Sequence, residues 1–394
     1  MLPPDTVAAA DAADAGRTDA APITAATTSN PTARSIVPVS LTYEFGPGSE
    51  AGFGNRFFDT LAAVRDERSV AAAARHLGVS YRHLWGYLKE REEWLGRALI
   101  VWEKGRAAKL TDFAQRLLWS EAQIKARLAG KIEALATEIS RELTAAFDES
   151  IPVARCIVSH DLALPMLNRL CREQDRLLLD VSYEGSIDAL RALRDERCDY
   201  AGIHLPLGTP HLAARGTNVH EAFGPLLRLG REKLITVAWR TQGIMTAAGN
   251  PHGIHSLADL SRVRFINRQP DSGTRALLDT LTHEAGVPTG TIDGYDRAEP
   301  THLAAAAAVA AGQVDATFGI EAAAAHFGLF FVPVVREQYF LVCRADTIDT
   351  PNTAVVIEAL CSASWRQALD ALPGYSAEGA GEVVSLRRTL PWYQ

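Results

Sequence analysis

The segment Asn267-Arg268-Gln269-Pro270-Asp271-Ser272-Gly273-Thr274-Arg275 has the residue types of an anion cradle. Its surroundings predict a strand before it and a helix opening at Thr274. The free backbone N–H groups of a helix start favour negative charge. The hydroxyls of Ser272 and Thr274 add donors, and Gly273 lets a ligand approach the backbone. Arg275 adds a forked cationic donor. No Gly-Lys-Ser/Thr follows, so this is not a Walker loop. Three more predicted strand ends carry similar groups: Ser159-His160-Asp161, Tyr183-Glu184-Gly185-Ser186 and Gly319-Ile320-Glu321. Parallel α/β sheets bind ligands outside the carboxyl ends of their strands. The candidate ligand residues are therefore Ser159, His160, Gly185, Ser186, Ser272, Gly273, Thr274, Arg275, His302 and Glu321. Glu299 and Glu321 disfavour a bare anion unless they pair with Arg275 or accept from ligand hydroxyls. His302 and His204 read equally well as ordinary structural residues.

Catalysis and metal binding find less support. Ser159-His160-Asp161 sets triad residue types side by side, but a working triad gathers them from separate segments. No Gly-x-Ser-x-Gly elbow is present. His252 and His255 have no cysteine or carboxylate to complete a metal site, so neither metal nor cofactor is expected.

A second constellation lies upstream. Ser69 is an N-cap before Val70–Leu77, Gly78 stops that helix, and Ser80 caps another running to about Arg91. Helix, tight glycine turn and helix make the sequence form of a helix-turn-helix. Its second helix presents Ser80, Tyr81, Arg82, His83 and Trp85, where side chains reach base edges; Arg82 suits guanine or phosphate. Two β-like runs, 99–102 and 107–110, flank a basic tip and predict a hairpin wing, with Lys104 and Arg106 set for phosphate or minor-groove contact. These residues, with Ser69, are the candidate DNA contacts.

The elements that must position both constellations follow. Phe57, Phe58, Leu61 and Val64 mark one face of a helix before the helix-turn-helix. Thr111 caps a helix reaching about Phe147, in which Leu117, Ile124, Leu128, Ile132, Leu135, Ile139 and Leu143 form a narrow stripe suited to pairing with a second copy. Pro152 ends that region, and beyond it strands and helices alternate, predicting mostly parallel sheets in two lobes. Chain crossings are expected near Trp239–Thr241 and Val335–Tyr339. Domain bounds follow: a tail at 1–48, the DNA-binding unit at 49–111, a linker and dimerisation helix at 112–150, and the two-lobed unit at 151–394.

The 394 residues are 47% hydrophobic and 22% charged, which excludes a wholly disordered chain, a coiled-coil rod and a collagen-like fibre. Residues 1–45 are rich in Ala, Thr, Pro and Asp and read as a flexible tail. No apolar run suffices to span a bilayer, and no basic or apolar leader opens the chain, so a cytoplasmic protein without membrane association is expected. Five scattered cysteines, none in a C-x-x-C pair, agree with reduced thiols. The net charge is −7, yet residues 50–116 hold 12 Lys/Arg against 9 Asp/Glu. A basic module on an acidic body fits a nucleic-acid partner.

Residues 69–85 with Lys109-Leu110-Thr111-Asp112-Phe113-Ala114-Gln115-Arg116-Leu117-Leu118 resemble the winged helix-turn-helix of ModE-type molybdate regulators, close kin of LysR-type regulators. The wing is shorter than that pattern. Residues 152–375 resemble the type 2 periplasmic-binding-protein fold, in the branch fused to helix-turn-helix domains, most specifically at Asn267–Arg275. The resemblance implies an all-α winged helix-turn-helix with a long dimerisation helix, followed by an α/β two-lobed domain. It implies a homo-oligomeric regulator, dimer or tetramer, that binds an operator in double-stranded DNA and senses molybdate, tungstate or a related compound. The residues themselves specify only a small anion, a carboxylate such as formate included. The alternative is an enzyme or solute-binding receptor for a small anion with an accessory helical module.

Overall fold

The computed structural model describes residues 56–101, 108–173 and 176–393. The described residues open with a three-helix head. In α1 (Arg56–Glu67) Phe57, Phe58, Leu61 and Val64 are buried, as their spacing requires. The Ser69 hydroxyl accepts from Ala72 N (3.3 Å) and starts α2 (Val70–His76). Gly78 then takes φ +68°, a left-handed turn open to glycine at little cost. The Ser80 hydroxyl accepts from His83 N (3.2 Å) and starts α3 (Tyr81–Leu95). Leu84 and Leu88 of α3 lock it onto Leu61, Val64 and Val70. Strands β1 (Ile100–Val101) and β2 (Lys109–Leu110) pair antiparallel as the base of the wing. The wing tip, with Lys104 and Arg106, lies outside the described residues.

Thr111 caps α4 (Asp112–Phe147), 36 residues and about 54 Å long at 1.5 Å per residue. Its first turns complete the head core through Ala114 and Leu118. Farther along, its buried residues are small or polar: Glu121, Gln123, Ala126, Gly130, Ser140 and Thr144. No described helix is long and apolar enough to cross a membrane.

The body then runs β3 (Val153–Val158), α5 (Leu164–Arg172), β4 (Leu178–Tyr183), α6 (Ser186–Arg194), β5 (Tyr200–Leu205), α7 (Asn218–Phe223) and β6 (Glu232–Thr246). The second lobe adds β7 (Phe265–Arg268), α8 (Gly273–Glu284), β8 (Ala298–Glu299), α9 (His302–Ala310), β9 (Ala316–Ile320) and α10 (Glu321–His326). Strand β10 (Phe330–Arg344) returns to the first lobe, followed by α11 (Pro351–Cys361), α12 (Ala363–Asp370), β11 (Tyr375–Ser376), β12 (Val383–Ser385) and α13 (Leu386–Thr389).

The sheet order is β4-β3-β5-β10-β6-β9-β7-β8. Pairs β3/β4, β3/β5, β7/β8 and β7/β9 are parallel, whereas β6 and β10 run antiparallel through both lobes. Strand β10 joins β5 at 338–342, while β6 joins β9 at 242–246, so the lobes share only these two crossings. Apolar clusters cover both faces of the first lobe's sheet, which is what buried parallel strands require. The two-lobed α/β architecture is the one the alternation implies.

Strand β10 runs unbroken for 15 residues, with register shifts after Pro333 and Tyr339 absorbing the bend between lobes. Helix α11 ends at Ser362, whose hydroxyl accepts from Trp365 N (3.0 Å) and starts α12.

Candidate functional site

The head displays the first turns of α3. Tyr81 is half exposed, Arg82 and His83 are exposed, and Leu84 and Leu88 face the core. Tyr81 and Trp85, one turn apart, stack at 6.4 Å, and the Lys89 ammonium lies 4.8 Å over Trp85. Arg56 Nη2 reaches His83 Nε2 at 2.6 Å, so α1 steadies the exposed face of α3. Arg82 has no ion-pair partner among the described residues and is an uncommitted cation at this surface. Ser69 and Ser80 serve as caps, which sets the helices but uses their hydroxyls. Glu92 accepts from Leu99 N (2.8 Å) and Ile100 N (3.3 Å), tying α3 to the wing.

In the body, the strand-end loops of the two lobes meet in an unbroken chain of contacts. Ser159 Oγ and Ser186 Oγ stand 3.0 Å apart in the first lobe. A Cβ on Gly273 would lie 3.9 Å from Ser186 Oγ and 3.6 Å from His204 O, so the start of α8 abuts the first lobe. Next to it, Thr274 Oγ1 accepts from Gln242 Nε2 of β6 (3.3 Å) and lies 3.4 Å from His302 Nε2. On the rim, a Cβ at Gly185 would stand 2.6 Å from the Asp271 carbonyl oxygen.

This cluster holds polar atoms with no hydrogen-bond partner among the described residues: Gln242 Oε1, Arg268 Nη1 and His302 Nδ1, on side chains almost wholly buried. Buried polar atoms are rarely left so unless a ligand or water satisfies them. Arg268, 2% exposed, directs Nε at Glu299 O (3.3 Å) and Nη2 at Pro300 O (2.9 Å). No carboxylate lies within ion-pair distance of it among the described residues. Burial, aided by the Arg240 charge, pulls its pKa down to about 9. Burial and the charges of Arg268 and Arg240 also hold His302 far below the ordinary imidazole value, hence neutral.

Arg240 is the contrast. Its Nη1 meets Asp161 Oδ2 at 2.6 Å, its Nε meets Glu337, and Tyr375 Oη donates to Asp161 Oδ2 (2.8 Å). His204 stacks on Tyr339 at 4.1 Å, with Nε2 3.7 Å from Asp161 Oδ2, beyond a hydrogen bond. Burial and Arg240 lower the His204 pKa. This group fastens the crossing of β6 and β10.

Several expected ligand residues are placed differently. The Ser272 hydroxyl is committed to its helix start, donating to Gln269 O (2.8 Å) and accepting from Arg275 N (3.2 Å). Arg275 turns along α8 to Asp279 (3.0 Å) and lies 4.5 Å over Tyr295, so its charge is already answered. Glu321 packs against Gly374. His160 lies 3.7 Å from Glu133 of α4 and 5.2 Å from the Tyr183 ring. Ser159, Gly185, Ser186, Gly273, Thr274 and His302 do come together. The sequence places Arg268 in the cradle segment without marking it as a ligand and does not single out Gln242, because both strands carry other polar residues beside them. The described residues contain no group of three or more His, Cys, Asp or Glu able to hold a metal ion.

Residues 56–115 match the family described as bacterial regulatory helix-turn-helix protein, lysR family, and residues 167–361 match the PBP superfamily domain. The chain joins a LysR-type helix-turn-helix to a periplasmic-binding-protein-like domain. The family matched by residues 56–115 is one of regulatory proteins. Uncharacterized protein YvgK of Bacillus subtilis (strain 168) is 32% identical over 204 residues, 51% of this chain and 64% of that protein. The chain thus spans just under two thirds of that relative's length. A Clostridium pasteurianum protein, described as an uncharacterized protein in the ferredoxin 2Fe-2S gene 5' region, is 31% identical over 110 residues, 28% of this chain and 97% of the relative. Full-length BenM superposes with TM-score 0.40 at 17% identity, over 81% of this chain and 98% of that one. The values for CbnR, a LysR family transcriptional regulator, are 0.38 and 17%, over 77% and 98%.

Proposed function

We propose that this chain is a ligand-responsive transcription regulator. The LysR-type head binds an operator in double-stranded DNA through Tyr81, Arg82, His83 and Trp85, and the interlobe cluster binds a small anion. The observation that carries the anion reading is Arg268, a buried guanidinium that among the described residues has no partner at Nη1 and no carboxylate within ion-pair distance. A ligand shifts such a protein only by binding one lobe arrangement better than another. The functional units are 49–111, 112–150 and 151–394. The effector class is molybdate, tungstate or a related compound, as the ModE-like resemblance implies, with small carboxylates as the competing class.

Pairing of two copies belongs to the same reading. Ile124, Leu135, Ile139, Leu143 and Phe147 of α4 are exposed, because the helix turns its small and polar face to its own body. A second α4 covering that stripe gives a homo-oligomer with two reading heads.

The experiment is native mass spectrometry with elemental analysis of the purified protein, then calorimetric titration with sodium molybdate, tungstate and formate, and duplex DNA retardation across a salt series. A retained or titrated anion, an even number of copies and DNA affinity falling steeply with salt are expected. A neutral retained ligand overturns the anion reading. No duplex affinity at 50 mM salt overturns the regulator reading.

A further inference from the structure

We infer that α4 is a strap across the interlobe cleft, and that Arg127 and Glu133 are positioning residues which hold the two walls of the effector site and pass their separation to the reading head. The inference rests on the regulator reading above. Its own ground is the pattern of anchors along one helix.

On the second lobe, Gln123 and Gln313 exchange two amide hydrogen bonds (3.0 and 2.8 Å). Arg127 Nε donates to Glu299 Oε2 (2.8 Å) and its Nη2 to Oε1 of the same carboxylate. Thr301 Oγ1 donates to Ala126 O (2.8 Å). On the first lobe, Tyr183 Oη donates to Glu133 Oε2 (2.5 Å), and Arg141 Nη1 donates to Asp180 Oδ2 (2.5 Å). Gly130 sits between the two sets: a Cβ there would stand 3.3 Å from the Tyr183 ring, so the missing side chain lets the helix lie flat.

The anchored residues are neighbours of the site itself. Glu299 and Pro300 supply the carbonyl oxygens that Arg268 holds, and Thr301 caps the helix that starts at His302. Tyr183 and His160 stand beside Gly185-Ser186 and Ser159. Arg127 and Glu133 are six residues apart, about 9 Å along the axis. A helix does not stretch to follow two walls moving apart, so a change in their separation tilts α4 or breaks one anchor. The same helix supplies Ala114 and Leu118 to the head core, and its cap residue Thr111 donates to Ala98 O (2.9 Å) beneath the wing. Movement of the walls therefore reaches the head through a continuous hydrogen-bonded rod.

The test uses the full chain and needs no effector. Arg127→Ala frees the second-lobe anchor, Arg127→Lys retains a charge there, and Gln313→Ala is a milder release should Arg127→Ala fail to fold. Gly130→Leu lifts α4 from Tyr183 and frees the opposite wall. Hydrogen exchange is followed by mass spectrometry in peptides covering 183–190 and 299–305, and duplex affinity by fluorescence anisotropy. Freeing one anchor is expected to speed exchange at the opposite wall at least threefold and to change duplex affinity at least threefold, with Arg127→Lys lying nearer the parent. Exchange rising only at the mutated wall, with duplex affinity unchanged, overturns the strap. A parent protein that binds no duplex defeats the regulator reading instead, while exchange across α4 still decides the strap.

Discussion

Gly185 and Asp271 face each other where the two lobes meet, so closely that a methyl group on Gly185 would meet the Asp271 carbonyl oxygen at 2.6 Å. Gly185 has φ −65°, which any residue adopts. Alanine there is therefore excluded by the opposite lobe and not by the backbone. Gly185→Ala should prop the rim open, weaken anion binding about tenfold, near 1.4 kcal/mol, and leave the melting temperature almost unchanged. Calorimetry with the anion identified by mass, alongside a thermal melt, checks both parts.

Arg268→Leu separates ligand binding from stability. Removing a buried unpaired charge relieves a desolvation cost, whereas the ligand loses a charge-assisted contact worth roughly 1.5–3 kcal/mol. The expected outcome is a tenfold or greater loss of anion affinity with a melting temperature close to that of the parent, because the relieved desolvation is offset by the lost bonds to Glu299 O and Pro300 O. A variant that melts lower and binds normally would show Arg268 to be structural.

Arg82→Ala should weaken specific duplex binding by about 1–3 kcal/mol if the guanidinium reads guanine. If it grips phosphate instead, the salt slope falls by about one. Anion affinity stays at the parent value in both cases. Retardation at several salt concentrations distinguishes the two.

His204 and His302 are held below the ordinary imidazole value by burial, with Arg240 and Arg268 adding repulsion and Asp161 and Glu337 opposing it at His204. The folded state therefore binds fewer protons than the unfolded chain, whose histidines titrate near 6.5. The stability they confer is complete above that value and is lost as pH falls below it, by up to about 1.4 kcal/mol per pH unit per histidine. Denaturant melts between pH 7.5 and 5.5 should show this loss, and His302→Gln should flatten the slope. Binding an anion beside Arg268 favours the protonated imidazole, so affinity should rise as pH falls, with proton uptake visible by calorimetry in buffers of different ionisation enthalpy.

The exposed α4 stripe predicts the oligomeric state. Replacing Leu135, Ile139 and Leu143 together by glutamate should convert an even-numbered assembly to monomer without unfolding it, because none of the three is buried in its own chain. Light scattering and circular dichroism provide the readings.

Local signals in the sequence determined most of the elements. The caps at Ser69, Ser80 and Thr111 fixed three helix starts, because a side-chain acceptor beside an unpaired N–H acts within one turn. The alternation after Pro152 determined the two-lobed α/β class, since parallel strands need crossover helices. Apolar periodicity also found α4, but it did not determine which face the helix buries. The leucine and isoleucine stripe reads as a face for a second copy and is left largely exposed, while the body takes the face of Gln123, Ala126 and Gly130. That choice depends on Gln313, Glu299 and Tyr183, 50 to 190 residues away in the chain.

The same distinction separates the two site arginines. Both lie in the Asn267–Arg275 segment, and the sequence favoured Arg275 because it opens a helix. Only the tertiary structure decided that Asp279 and Tyr295 answer Arg275 while Arg268 is buried with no carboxylate of the described residues within ion-pair distance. Charge compensation inside a protein depends on which distant groups the fold brings within a few ångströms, and residue order along one strand and one turn of helix does not contain it.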